Sequence, residues 1–150
     1  MKIIKEFRGK YSFLSNFYSA KVAYRGITYD NNESAFQAQK CPNEVQKKQF
    51  CGITPNIAKR KGRDVHCNIA EWNSKRDSVM FDIVFLKFLQ NKHLLERLLD
   101  TGDAILIEGN TWGDRYWGVV GNTSRNKLGE ILMEVRWKLR YDKAPEDCKG

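Results

Sequence analysis

The chain has 150 residues, with 26 Lys+Arg against 18 Asp+Glu and 41% hydrophobic residues, for a formal charge of +8. That length suits one domain whose core buries roughly two-thirds of the surface its unfolded form exposes, and 11 Gly with 3 Pro are too few for a disordered or collagen-like chain. The most apolar run, residues 83–89, contains Lys87 and falls short of the about 20 apolar residues a membrane span requires.

Residues 1–6 hold no apolar stretch long enough for a signal peptide. The four cysteines, Cys41, Cys51, Cys67 and Cys148, form no C-x-x-C pair. Reduced thiols and a cytoplasmic protein are therefore expected. His66-Cys67 has no second pair to complete a zinc site, so no metal is expected.

Along the chain, the aromatic run Tyr11-Ser12-Phe13-Leu14-Ser15-Asn16-Phe17-Tyr18 comes first. Core packing accounts for its rings; Ser15 and Asn16 between them also suit a pocket that stacks a ring and hydrogen-bonds a sugar or base edge. Residues 22–29 read as a β-hairpin with Arg25-Gly26 at the turn. Asp30-Asn31-Asn32 offers a cap for a helix over residues 33–40, which Pro42 ends. Short helices are expected at about 44–51 and 55–62. A long apolar helical segment at about 74–99, with a break at Asn91, reads as core. Residues 104–107 read as a short buried strand. Leu128, Ile131, Leu132, Val135 and Leu139 trace the stripe of an amphipathic helix beginning near Asn126. The resulting fold class is α+β: a mainly helical single domain over residues 5–141 with a small β-hairpin and short strands, followed by a flexible tail at 142–150.

The positive charge is concentrated. Residues 34–63 carry Lys40, Lys47, Lys48, Lys59, Arg60, Lys61 and Arg63 against Glu44 alone, net +6. Lys59-Arg60-Lys61-Gly62-Arg63 can be a solvated helix end stopped by Gly62, or an electropositive lip that attracts phosphates.

Three long polar side chains, Glu33, Gln37 and Lys40, share one face of the expected 33–40 helix. Seven residues turn about 700°, which aligns Glu33 and Lys40 within about 20° and roughly 10 Å apart. Such a face can be solvated surface, with Glu33 at the positive end of the helix dipole. It can also be a pocket wall where a carboxylate does acid–base work and a lysine forms an imine with an open-chain sugar aldehyde. In Trp112-Gly113-Asp114-Arg115-Tyr116-Trp117-Gly118, Asp114 either caps a turn or faces the pocket as a second carboxylate, as glycosidic cleavage commonly needs. Trp72 is either core or a ring platform.

The ordered blocks of the sequence resemble the NADAR (YbiA-like) domain family. They are Phe7-x-Gly9 with residues 11–18; Gly26-Ile27-Thr28-Tyr29 leading into Glu33-Ser34-Ala35-Phe36-Gln37-Ala38-Gln39-Lys40; Trp72 with Arg76 and Met80; Lys87-Phe88-x-Gln90-Asn91; Leu98-Leu99-x-Thr101-Gly102; Glu108; Asp114-x-x-Trp117-Gly118; and Asn126-x-Leu128-Gly129-x-x-Leu132-Met133-x-x-Arg136. Together they span about residues 5–140. Segment 42–70 matches least, and Ser34 stands where the family often has histidine.

The resemblance implies an N-glycosidase acting on ribose joined to nitrogen, with no metal or cofactor. Its substrates are ADP-ribosyl-guanine in DNA or nucleosides, or phosphorylated ribosylamine intermediates of riboflavin synthesis. It implies Glu33 as general acid/base, Lys40 as imine-forming nucleophile and Asp114 as a sugar-orienting or charge-stabilising group. Phe13, Ser15, Asn16, Gln37, Trp72, Arg76, Trp117 and Gly118 become substrate-binding candidates, and Lys47, Lys48, Lys59, Arg60, Lys61 and Arg63 candidates for nucleic-acid contact. An imine needs an unprotonated lysine, and Glu33 alone would hold Lys40 protonated, so burial or a nearby arginine must offset it. A non-catalytic reader of ADP-ribose or nucleic acid is the remaining alternative; it has no need of Glu33 and Lys40 together.

Overall fold

A computed structural model describes residues 1–121 and 124–142. The chain is mainly helical, with two small two-stranded sheets, the α+β class expected. Of the tail expected at 142–150, residues 143–150 lie outside the described residues. Two compact units are present, Asn16–Asn91 and Met1–Ser15 together with the chain from Lys92 onward.

In the 16–91 unit, β2 (Ser19–Tyr24) pairs antiparallel with β3 (Ile27–Asn31). The two-residue turn has both central residues at positive φ, Arg25 at 51° and Gly26 at 87°. That backbone matches the twist of the flanking strands. Side chains alternate as a half-buried hairpin requires: Val22, Tyr24, Ile27 and Tyr29 face inward, while Ala23 and Thr28 face out.

The hairpin leads into α1 (Asn32–Ala38), where the Asn31 side chain accepts the Ser34 N–H at 2.8 Å. Then follow α2 (Glu44–Lys47), a 3-10 turn (Lys48–Phe50), α3 (Pro55–Arg63) and the 22-residue α4 (Ile69–Gln90). Helix α4 starts five residues before the expected 74 because Asn68 caps it, accepting from Glu71 N at 2.9 Å. It packs along β2. The Gln90 carboxamide donates to Ala23 O at 2.9 Å and accepts from Ala23 N at 2.8 Å, and Asn91 Nδ2 donates to Lys21 O at 2.9 Å. These amides satisfy backbone groups on the open edge of β2.

In the other unit, β1 (Ile3–Ile4) runs parallel to β4 (Ile105–Leu106). Strand β1 is too short to leave an alternating pattern in the sequence. Helix α5 (Lys92–Asp100) follows the break at Asn91 and buries Leu94 and Leu98. Helix α6 (Lys127–Trp137) buries Leu128, Ile131, Leu132 and Val135, the predicted stripe. Asn126 does not cap α6 with its side chain. It sits at φ 52° and its amide joins Leu106 O (3.0 Å) to Glu108 N (3.0 Å), tying the helix start to β4.

Candidate functional site

All seven residues of α1 are buried, including Asn32, Glu33, Ser34 and Gln37. It packs against β3, α3 and α4. Polar groups on a helix covered this completely look for partners within the protein, and Asn32 Oδ1, Ser34 Oγ and Gln37 Oε1 are buried without one. Gln37 Nε2 donates to Glu33 Oε2 at 2.7 Å, one helical turn away. Glu33 N–H donates to Asn16 O at 3.1 Å.

Lys40 departs from the expected geometry. Helix α1 ends at Ala38, with Gln39 as its C-cap. Lys40 therefore lies beyond the helix, and the angular alignment computed for a continuous 33–40 helix does not hold. Lys40 is set instead by consecutive tight turns: Gln39 N to Phe36 O (3.1 Å), Lys40 N to Gln37 O (3.2 Å) and Cys41 N to Ala38 O (3.0 Å). Pro42 disfavours helical backbone at the residue before it. The half-buried ammonium reaches Gly62 O at 3.4 Å and stands 5.8 Å from the centre of the Trp72 ring. Burial lowers the Lys40 pKa, outweighing upward pulls from Cys67 and then Glu33, and the Arg63 guanidinium adds the smallest contribution, downward. The net direction is the one an imine-forming amine needs.

Trp72 is 8% exposed and lies tilted on Phe36, ring centres 5.1 Å apart. It is thus a core residue that also offers a ring face to Lys40. Arg76, half-buried, follows it one turn along α4. Asn16, expected as a substrate contact, is 7% exposed. Its Oδ1 accepts from Asn32 Nδ2 at 3.2 Å and its Nδ2 reaches Met80 Sδ at 3.4 Å. It holds the first turn of α1 in place, and both ends of its amide are engaged inside the protein.

Gly62, a helix stop in one of the two readings of the basic segment, lies inside α3, which continues to Arg63. A Cβ at this position would overlap the Gln37 carboxamide. The sequence signal was the Ala58/Gly62 spacing, two small residues one turn apart on a basic helix, both buried. The basic candidates around it are not equivalent. Lys61 Nζ bonds Gln49 O at 3.2 Å and covers the Phe50 ring at 5.3 Å. Lys47 and Lys59 are half-buried, whereas Lys48, Arg60 and Arg63 are exposed.

The remaining candidates belong to the other unit. Asp114 is a turn cap: its Oδ1 accepts Tyr116 N at 3.1 Å and Trp117 N at 2.9 Å. Asn110 clasps the same residue, accepting Asp114 N at 3.0 Å and donating to Asp114 O at 2.9 Å. Trp117 meets Tyr116 edge-on with ring centres 4.8 Å apart. Gly118 is buried where a Cβ would strike Asn110 Nδ2 and Glu108 O. Phe13 is 2% exposed with the Arg97 guanidinium 4.3 Å from its ring centre, and so packs in the core of this unit. Ser15 is half-buried, its N–H bonded to Ser12 O at 3.0 Å. Among the described residues no three His, Cys, Asp or Glu side chains gather as metal ligands, and no helix is long and apolar enough to cross a membrane.

A small α+β fold that buries a carboxylate, a carboxamide and a lysine beside a tryptophan is the pattern of a site built for polar chemistry out of bulk water. The chain belongs to the NADAR family: the NADAR domain model matches residues 4–140. N-glycosidase YbiA of Escherichia coli strain K12 is 35% identical over 136 residues, 89% of this chain and 84% of that protein. A Nostoc punctiforme N-glycosidase is 30% identical over 139 residues, 87% of this chain and 86% of its own. A Vibrio vulnificus riboflavin biosynthesis protein is 37% identical over 133 residues, 87% of this chain but 36% of that longer protein. The NMR structure of the Escherichia coli protein YbiA superposes with a TM-score of 0.83 at 34% identity, covering 96% of this chain and 88% of that one.

Proposed function

We propose that this protein is an N-glycosidase that hydrolyses the bond between C1′ of ribose and a base nitrogen, releasing ADP-ribose from ADP-ribosylated guanine in DNA or nucleosides. The observation that carries the reading is the Lys40 amine, half-buried over Trp72, its pKa lowered by burial, with Glu33 close enough to act on it electrostatically. The names of the YbiA and Nostoc relatives support the reaction class. The net +6 of residues 34–63 supports a polyanionic substrate, because a diphosphate or DNA gains more from such a surface than a monophosphate does.

In this mechanism Glu33, as acid, protonates the ribose ring oxygen while the base nitrogen pushes its electron pair toward C1′. The ring C–O bond breaks and a C1′=N iminium remains. The neutral Lys40 amine adds to C1′. The base nitrogen then leaves with a proton returned through Glu33, and C1′ is held as an imine to Lys40. Water adds to that imine, Lys40 departs as the amine, and the aldehyde recloses to ribose. One water is consumed, and no oxidant or metal is required. The Trp72 face favours the cationic iminium stages. Arg76 and Gln37 are polar contacts at the same helices, and exposed Arg60, Arg63 and Lys48 would meet the phosphates of a nucleic-acid substrate. The reactants named here belong to a cytoplasmic setting.

The Vibrio relative's name favours a second reading, hydrolysis of phosphorylated riboflavin intermediates by the same residues. The test is chromatography of an ADP-ribosylated guanine oligonucleotide incubated with wild type, Lys40→Ala and Glu33→Ala. Free ADP-ribose from wild type, lost in both variants, is expected. An intact oligonucleotide would overturn this substrate; turnover of the riboflavin intermediates would then establish the second reading, and tight binding without turnover a non-catalytic module.

A further inference from the structure

At one residue, helix α3 meets Lys40 directly and Glu33 through Gln37. Gly62 leaves open the space that the Gln37 carboxamide occupies: an added Cβ would overlap Gln37 Oε1 and stand at 2.5 Å from its Cδ and 3.0 Å from its Cβ. The same carboxamide donates to Glu33 Oε2 at 2.7 Å. The Gly62 carbonyl, in the last turn of α3, accepts from Lys40 Nζ at 3.4 Å and from Val65 N at 3.4 Å. Glycine is disfavoured inside a helix relative to alanine, so packing, not helix propensity, accounts for it here.

We infer that Gly62 is a positioning residue for the Glu33–Lys40 pair: its missing side chain seats Gln37 against Glu33, and its carbonyl holds the Lys40 ammonium. The inference rests on the proposed roles of Glu33 and Lys40 for its effect on catalysis, but not for its geometry. The atoms a new methyl would meet are mostly the far end of a flexible side chain. Gly62→Ala therefore folds by swinging the Gln37 carboxamide aside, and that movement takes the Gln37 donor away from Glu33. Loss of a hydrogen bond to a carboxylate raises the pH at which it takes up a proton.

The experiment is a carboxyl ¹³C NMR titration of Glu33 in wild type, Gly62→Ala, Gln37→Ala and the double variant, with the pH–rate profile of turnover beside it. Gly62→Ala and Gln37→Ala are each expected to move the Glu33 midpoint and the acid limb of the profile upward, by about half a pH unit or more. In the Gln37→Ala background, Gly62→Ala should add nothing, because the atom it displaces is gone. The double variant, with the crowding removed, also decides the matter should Gly62→Ala alone not fold. An unmoved midpoint in Gly62→Ala, or the same increment in both backgrounds, overturns the inference. Retained turnover in Lys40→Ala and Glu33→Ala would overturn the catalytic reading while the titration still decided the part Gly62 plays.

Discussion

Helix α1 and the loop spanning residues 108–118 are the two parts of the chain richest in residues suited to chemistry, and they use them differently. In the loop, the Asp114 carboxylate accepts two main-chain N–H groups, from Tyr116 and Trp117. That carboxylate is consumed in making the turn. In α1, Glu33 Oε2 is held by the side-chain amide of Gln37, and Lys40 by one carbonyl and a ring face. The Gln37 amide and the Trp72 face can be displaced without unfolding the backbone. Helix α1 is buried throughout, whereas the loop is half-buried or exposed except at Gly118. Whether the partner is main chain or side chain separates a structural carboxylate from one free to take part in a reaction.

Paired substitutions test that contrast most strongly. Glu33→Gln keeps the size of the side chain but removes its proton-carrying capacity, and turnover should fall by about 10²-fold or more. Asp114→Asn retains Oδ1 as an acceptor for both N–H groups and should leave turnover far less affected. Asp114→Ala loses both bonds and should lower stability by roughly 1–2 kcal/mol in denaturant unfolding. Equal losses of turnover in Glu33→Gln and Asp114→Asn would break the contrast and make Asp114 a chemical group.

A second lysine sharpens it further. Lys87, on α4, is 1% exposed, stands 5.6 Å from the Tyr18 ring centre and 5.2 Å from that of Phe88, and has its pKa lowered by burial to about 7. Between that value and the ordinary 10.5 the unfolded chain binds a proton that the native state does not. Stability from this group therefore rises with pH across that window and is lowest below it, with a slope of about 1.4 kcal/mol per pH unit. Unfolding of wild type and Lys87→Met from pH 7 to 9 should show the slope in the first and its loss in the second. A parallel pH dependence in the two proteins would mean that Lys87 is protonated in the fold.

The smallest expected effect concerns the basic surface. Exposed Arg60 should contact phosphate if nucleic acid binds there, so Arg60→Gln should reduce the slope of log affinity against log salt by about 1. Lys61, already engaged with Gln49 O and Phe50, should contribute less. An identical salt slope in Arg60→Gln and wild type would remove this face from the interface.

Periodicity carried much of the fold. The hairpin around Arg25-Gly26, the break at Asn91 and the stripe of α6 could be read because each is written in local pattern: turn chemistry, an apolar run, an i, i+3, i+4 repeat. Strand β1 could not be, since two residues have no period and its pairing with β4 spans a hundred positions. Lys40 lies two residues beyond the end of α1, a boundary Pro42 does not mark, since it restricts only the residue directly before it.

The residues of α1 were present in the sequence as a polar face, and by themselves they suited solvent as well as a buried site. Tertiary packing decided between these. β3, α3 and α4 cover the helix on enough sides to exclude water, and a buried polar group must then be paired within the protein. The sequence determined which groups could do chemistry and the local elements that carry them. Only the fold decided that Gly62 makes room for the Gln37 carboxamide and that Lys40 is half-buried beside Trp72, since each of these depends on a neighbour far away along the chain.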